Sequence, residues 1–161
     1  MIHKKTLYLV RAATIAAVYI LLTVLFAPIS SGLIQCRMAE ALCVLPYFTS
    51  AAIPGLFIGC LLSNLLTGAA IYDVVFGSLA TLLAAVATYC MRRRWLKYLS
   101  PLPSVVLNAL IVGALLVYAY GVGVPYVMAC GYVAIGQTMA CFALGIPLLL
   151  VLERCADNLF E

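Results

Sequence analysis

The run Leu102-Pro-Ser-Val-Val-Leu-Asn-Ala-Leu-Ile-Val-Gly-Ala-Leu-Leu-Val-Tyr-Ala-Tyr120 contains no charged side chain and is bounded by turn signals, Ser100-Pro101 before it and Gly121 after it. Its apolar residues are continuous and lack the period-2 alternation of a membrane β-strand. The segment therefore reads as a helix that crosses a bilayer, whose ~30 Å hydrocarbon core calls for about 20 apolar residues.

The rest of the chain agrees. Hydrophobic residues make up 67% and charged residues 9%, with a mean hydropathy of +1.21; soluble domains average about 25% charged. Lipid is thus the solvent for most of this sequence, and the fold class is all-α integral membrane. In 161 residues there is room for roughly five or six short-looped spans, so residues 1–161 are expected to form a single transmembrane domain. Apolar runs and turn signals place its helices at about 7–27, 37–48, 54–66, 74–91, 102–120 and 126–152. The second and third are too short to cross alone, and are expected to lie inside the bundle, where protein covers them.

Charge sets the orientation. Lys4, Lys5 and Arg11, then Arg92, Arg93, Arg94 and Lys97, then Arg154 all fall on one side if there are six crossings, and only Arg37 lies toward the other. The positive-inside rule makes that side the cytoplasm, with both termini there, in a cell membrane. The first helix is read as a retained span rather than a cleaved signal peptide.

Several function classes drop out. Seven cysteines without a Cys-x-x-Cys pair favour neither zinc nor a disulfide framework, and the one histidine, His3, is terminal. Neither a P-loop nor a Gly-x-Gly-x-x-Gly fingerprint occurs. No metal, cofactor or catalytic constellation is expected, and topology explains the formal charge of +4 without a nucleic-acid partner.

What remains is a small set of polar residues in apolar helices, where ionisable groups are costly and mark function by default. The outer helix ends carry Gln35, Arg37, Glu40, Asn64, Asp73, Tyr118, Tyr120 and Tyr126, and Asn108 and Gln137 lie nearer mid-helix as a polar floor. Plainer roles compete: an intrahelical Arg37–Glu40 ion pair, a helix-start role for Asp73, interhelical glue for Asn64, Asn108 and Gln137, and interfacial anchoring for the tyrosines. On the first helix, Ala12, Ala13, Ala16 and Ala17 form overlapping small-x-x-x-small pairs. Such a strip allows close helix contact, either within the bundle or with another subunit.

Four motifs carry a family resemblance: Gln35-Cys-Arg-Met-Ala-Glu-Ala-Leu-Cys-Val-Leu-Pro46, Gly55-Leu-Phe-Ile-Gly-Cys60 followed by Asn64, Asp73-Val-Val-Phe-Gly-Ser-Leu-Ala-Thr-Leu-Leu-Ala-Ala85, and Asn108-Ala-Leu-Ile-Val-Gly113. Over nearly its whole length the chain resembles the QueT family, the substrate-specific (S) components of energy-coupling-factor (ECF) transporters that import queuosine precursors. The resemblance implies a compact six-helix bundle that binds substrate near the outer face. It implies docking through first-helix alanines, here Ala12, Ala16 and their neighbours, onto a transmembrane coupling (T) subunit carried by two ATPase subunits. It also implies a 7-deazaguanine substrate such as prequeuosine-1 or queuine. Glu40 would accept the paired N–H groups of a guanine-like edge, and Arg37, Gln35, Asn64 or Asn108 would donate to its carbonyl oxygen. Asp73 would meet a cationic substituent, and Tyr118, Tyr120 or Tyr126 would stack on the ring. Two other readings stay open: an S component for another vitamin or nucleobase, and a proton-coupled secondary transporter using Glu40. An intramembrane enzyme is the weakest fit.

Overall fold

The computed structural model describes residues 2–30, 37–92 and 94–159. Helix α1 (Ile2–Leu25) is followed by one helical turn, Ala27–Ser30; α2 (Met38–Tyr47) is a 3₁₀-helix and α3 (Ala52–Leu66) an α-helix. Helix α4 opens with a π-helical segment, Asp73–Gly77, and continues as Ser78–Cys90. After a 3₁₀ stretch, Arg94–Leu99, helix α5 (Leu102–Ala114) closes with a second π-segment, Leu115–Ala119. Helix α6 runs Tyr126–Thr138, passes through a third π-segment, Met139–Leu144, and finishes as Gly145–Leu159. No strand occurs among the described residues.

Four stretches are long and apolar enough to cross a membrane: Lys4–Leu25, Asp73–Cys90, Leu96–Ala119 and Tyr126–Cys155. Large apolar side chains such as Leu9, Leu21, Leu66 and Val127 are exposed on the outside of the bundle, as a lipid solvent allows. The chain is a multi-pass, all-α membrane protein.

Helix α2 is the axis of the bundle. Every residue from Ala39 to Pro46 is buried, and α1, α3, α4 and α6 all pack around it. Apart from Glu40 its sequence is apolar on all sides, the pattern of an enclosed helix. The 3₁₀ rise of ~2.0 Å stretches its ten residues to about 20 Å, against about 15 Å as an α-helix. Deep in the bundle a short segment thus covers a useful depth, with its backbone shielded from lipid by protein.

Helices α1 and α3 meet at van der Waals distance because α3 presents Gly55 and Gly59 to Ala12, Ile15, Ala16 and Tyr19 of α1. A Cβ built on Gly55 would lie 2.8 Å from the Ala12 carbonyl oxygen, and one on Gly59 would lie 2.8 Å from Tyr19 Cβ and 3.2 Å from Ala16 Cα. Close backbone approach of this kind is what holds helices together where lipid offers no hydrophobic gradient. Above this seam Tyr19, Leu42, Leu45, Leu56, Cys60 and Ala85 form one packed cluster. The seam also divides the alanine strip: Ala12 and Ala16 are buried against α3, whereas Ala13 and Ala17 face outward.

The basic side chains of Arg92 and Lys97 lie at one end of the bundle. There Tyr8 donates to the Ser50 carbonyl at 3.4 Å, Arg92 donates to the Phe48 carbonyl at 3.3 Å, and Lys97 pairs with Glu153 at 3.0 Å. The start of α1, the α2–α3 turn, the end of α4 and the end of α6 therefore share a face.

Candidate functional site

Glu40 lies in the first turn of α2 and is 2% exposed. A carboxylate so deeply enclosed is costly unless its oxygens are hydrogen-bonded. Both are: Tyr19 of α1 donates its hydroxyl to Oε1 at 2.8 Å, and Ser104 of α5 donates to Oε2 at 2.9 Å. The network continues sideways. Asn108 Nδ2 reaches Ser104 Oγ at 3.3 Å and Gln137 Oε1 at 3.5 Å. Cys141 directs its thiol at Gln137 Oε1 and at the Glu40 carbonyl, 3.5 and 3.6 Å away. Residues from α1, α2, α5 and α6 thus converge on one enclosed polar tier, to which Glu40, Asn108 and Gln137 all belong.

Arg37 and Glu40 are not ion-paired. The described ion pair is Lys97–Glu153, at the basic end. Arg37 precedes the helix in extended backbone, φ −85° and ψ 108°, so the i, i+3 alignment of two helical residues does not apply to it. It sits instead within electrostatic range of Tyr19, Cys60, Glu40 and Asp73.

A second polar group forms where α3, α4 and α5 meet. Asn64 is buried and donates to the Asp73 carbonyl at 3.0 Å, lying over Gly77. Tyr120 donates to Asp73 Oδ2 at 2.5 Å. Partial burial and the adjacent Asp73 carboxylate push the Tyr120 hydroxyl up to about 12, so it remains a donor at physiological pH. Asp73 Oδ1 is shielded and has no hydrogen-bond partner among the described residues. Each π-segment adjoins one of these polar groups: Asp73 begins the first, Tyr120 follows the second, and Gln137 and Cys141 flank or occupy the third. Such distortions of the helical ladder recur at functional sites, because they re-aim side chains.

Other expected residues lie elsewhere. Tyr118, 79% exposed, and Tyr126 stack against each other on the outside of α5 and α6, ring centroids 6.2 Å apart. Tyr126 donates to the Leu110 carbonyl at 3.1 Å, and Tyr118 lines an apolar surface groove with Tyr72, Phe76 and Leu110. Neither tyrosine joins the polar tier. Gln35 lies outside the described residues.

Tyr19, Ser104 and Cys141 are site residues that the sequence reading passes over. Each leaves a periodic trace: Tyr19 continues the buried stripe Ala12, Ala16, Tyr19, Thr23, while Ser104 precedes Asn108 by four residues and Cys141 follows Gln137 by four. Those spacings put each on the same helix face as its partner.

The sequence model of the family described as QueT transporter matches residues 9–154. A curated relative from Lactococcus lactis subsp. cremoris, named Queuosine precursor transporter QueT, is 39% identical over 80 residues, which are 48% of this chain and 47% of that protein. The match thus spans about half the length of that relative. No solved structure matches. With the family match running through all six helices and through both polar groups, the chain belongs to the QueT transporter family.

Proposed function

We propose that the chain is the substrate-binding membrane subunit of an ECF-type importer, which captures a 7-deazaguanine queuosine precursor such as prequeuosine-1 or queuine. The observation that carries this reading is the enclosed Glu40 carboxylate with one hydroxyl donor on each oxygen. A guanine-like edge offers a ring N–H beside an exocyclic NH₂, and a carboxylate accepts both. Arg37 is the donor available to the base's carbonyl oxygen, because the Asn108 amide already donates to Ser104 and Gln137. An aminomethyl cation on the deaza ring finds its counter-charge in Asp73, whose Oδ1 has acceptor capacity to spare. The name of the Lactococcus relative supports the same substrate class.

Import needs energy from elsewhere, and in this reading a T subunit with two ATPases supplies it. The outward alanines Ala13 and Ala17 then form the docking face, while Ala12 and Ala16 fix α1 to α3. The basic end faces the cytoplasm with both termini, and the Asp73–Tyr120 end faces outward. The test is to identify by mass spectrometry the small molecule that co-purifies with the chain from cells grown with queuosine precursors. A deazaguanine is expected; a different heterocycle, retained by the wild type and lost in Glu40→Gln, would overturn the substrate assignment.

A further inference from the structure

The tier around Glu40 is already satisfied by protein. The adjoining cavity, lined by Tyr19, Glu40, Cys43, Leu56, Thr81 and Ser104 among others, measures only about 10 Å³, roughly the room of one water. Sites for small organic ligands run to about 300 Å³ or more. A heterocycle can reach the carboxylate only if side chains lining this cavity move, and Tyr19 and Ser104, whose hydroxyls hold Glu40, are among them.

The two differ in how they are held. Ser104 Oγ donates to Glu40 and accepts from Asn108, which itself reaches Gln137, so it is fixed from two sides. Tyr19 projects from α1, whose main neighbour is α3 across the Gly55/Gly59 seam, and its hydroxyl is held by the bond to Glu40. At the two glycines Ile15 and Tyr19 of α1 seat closely against α3, so Tyr19 cannot withdraw from Glu40 without moving α1 relative to α3. On the far side of α1, Ala13, Ala17 and Val18 are exposed.

We infer that Tyr19 is a displaceable stand-in for the substrate: its hydroxyl occupies Glu40 until the N–H pair of a guanine-like base replaces it, and its withdrawal shifts α1 along α3. This rests on the proposed substrate reading and adds a residue and a motion to it. Site occupancy is thereby transmitted to the outward face of α1. Ligand affinity is reduced by the fraction of molecules in which Tyr19 still holds the carboxylate.

The experiment is calorimetric titration of 7-aminomethyl-7-deazaguanine into detergent-purified wild type, Tyr19→Phe and Ser104→Ala. Phenylalanine keeps the ring over Gly59 and removes the competing donor, so Tyr19→Phe should bind about tenfold tighter. Ser104→Ala should not bind tighter, because Ser104 stays in place when substrate arrives. Tyr19→Phe that binds equally or more weakly overturns the inference while leaving the substrate reading intact. Absence of binding by the wild type defeats the substrate reading itself. Should Tyr19→Phe fail to fold, spin labels carried by unnatural amino acids at the exposed positions Val18 and Leu62 report the same event. Their separation should change when the base is added, and an unchanged separation with bound base overturns the inference.

Discussion

The Ser104 hydroxyl and the Glu40 carboxylate, 64 residues apart in the chain, lie 2.9 Å apart in an enclosed part of the bundle. That contact joins α5 to the central 3₁₀-helix and supplies one of the two donors that make a buried charge tolerable. A hydrogen bond to a charged group is worth about 1.5–3 kcal/mol. Ser104→Ala should therefore lower stability by that order, read as a fall in the thermal unfolding midpoint in detergent. An unchanged midpoint would mean that Glu40 is not charged there or finds another donor.

The α1–α3 seam predicts a contrast between glycines. Gly59→Ala drives a Cβ to 2.8 Å from Tyr19 Cβ, and overpacking of this kind costs about 1–3 kcal/mol. Gly131, also helical, has nothing within 4 Å of its added Cβ, so Gly131→Ala should be neutral or slightly stabilising. Parallel melting curves decide it; equal behaviour of the two variants would contradict the packing described.

The divided alanine strip separates docking from folding. Ala17→Trp places bulk on the outward face and should abolish co-purification with the T subunit while substrate binding survives. Ala16→Trp forces bulk between α1 and α3 and should impair both. Pull-down and ligand titration on the two variants test this, and retention of the T subunit by Ala17→Trp would remove that face from the docking account.

Much of the fold is legible in the sequence because lipid imposes a simple grammar. Continuous apolar runs, Pro and Gly punctuation and one-sided basic residues announce an all-helical membrane bundle, and the shortness of the second run points to an enclosed helix; α3, also short, is not enclosed, because Ile58, Leu62, Leu65 and Leu66 are exposed on the outside of the bundle. The 3₁₀ character of Met38–Tyr47 and the three π-segments are not announced, because they answer to packing and not to composition. In the site, rarity of charge draws attention to Glu40 and Asp73. Tyr19 and Ser104 escape notice because a tyrosine or serine in an apolar helix is unremarkable until a carboxylate from another helix faces it. Tyr118 and Tyr126 illustrate the reverse: position near a helix end says nothing about which side of the helix the ring occupies.

Asp73 should set preference among precursors and contribute little to binding of the bare base. Asp73→Asn removes the negative charge beside Tyr120, so affinity for 7-aminomethyl-7-deazaguanine should fall while affinity for unsubstituted 7-deazaguanine is nearly kept. The ratio of the two dissociation constants is the readout. An equal loss for both ligands would assign Asp73 a structural part in holding α4 to α5.

One titration tests most directly whether Glu40 accepts the guanine-like edge of the substrate. Calorimetry of 7-aminomethyl-7-deazaguanine against wild type and Glu40→Gln, both shown monodisperse in detergent, compares an acceptor pair with one acceptor and one misplaced donor. Leaving polar groups unpaired costs about 1–3 kcal/mol each, so the variant should bind roughly tenfold to a hundredfold more weakly. Equal affinity in the two proteins would contradict the account.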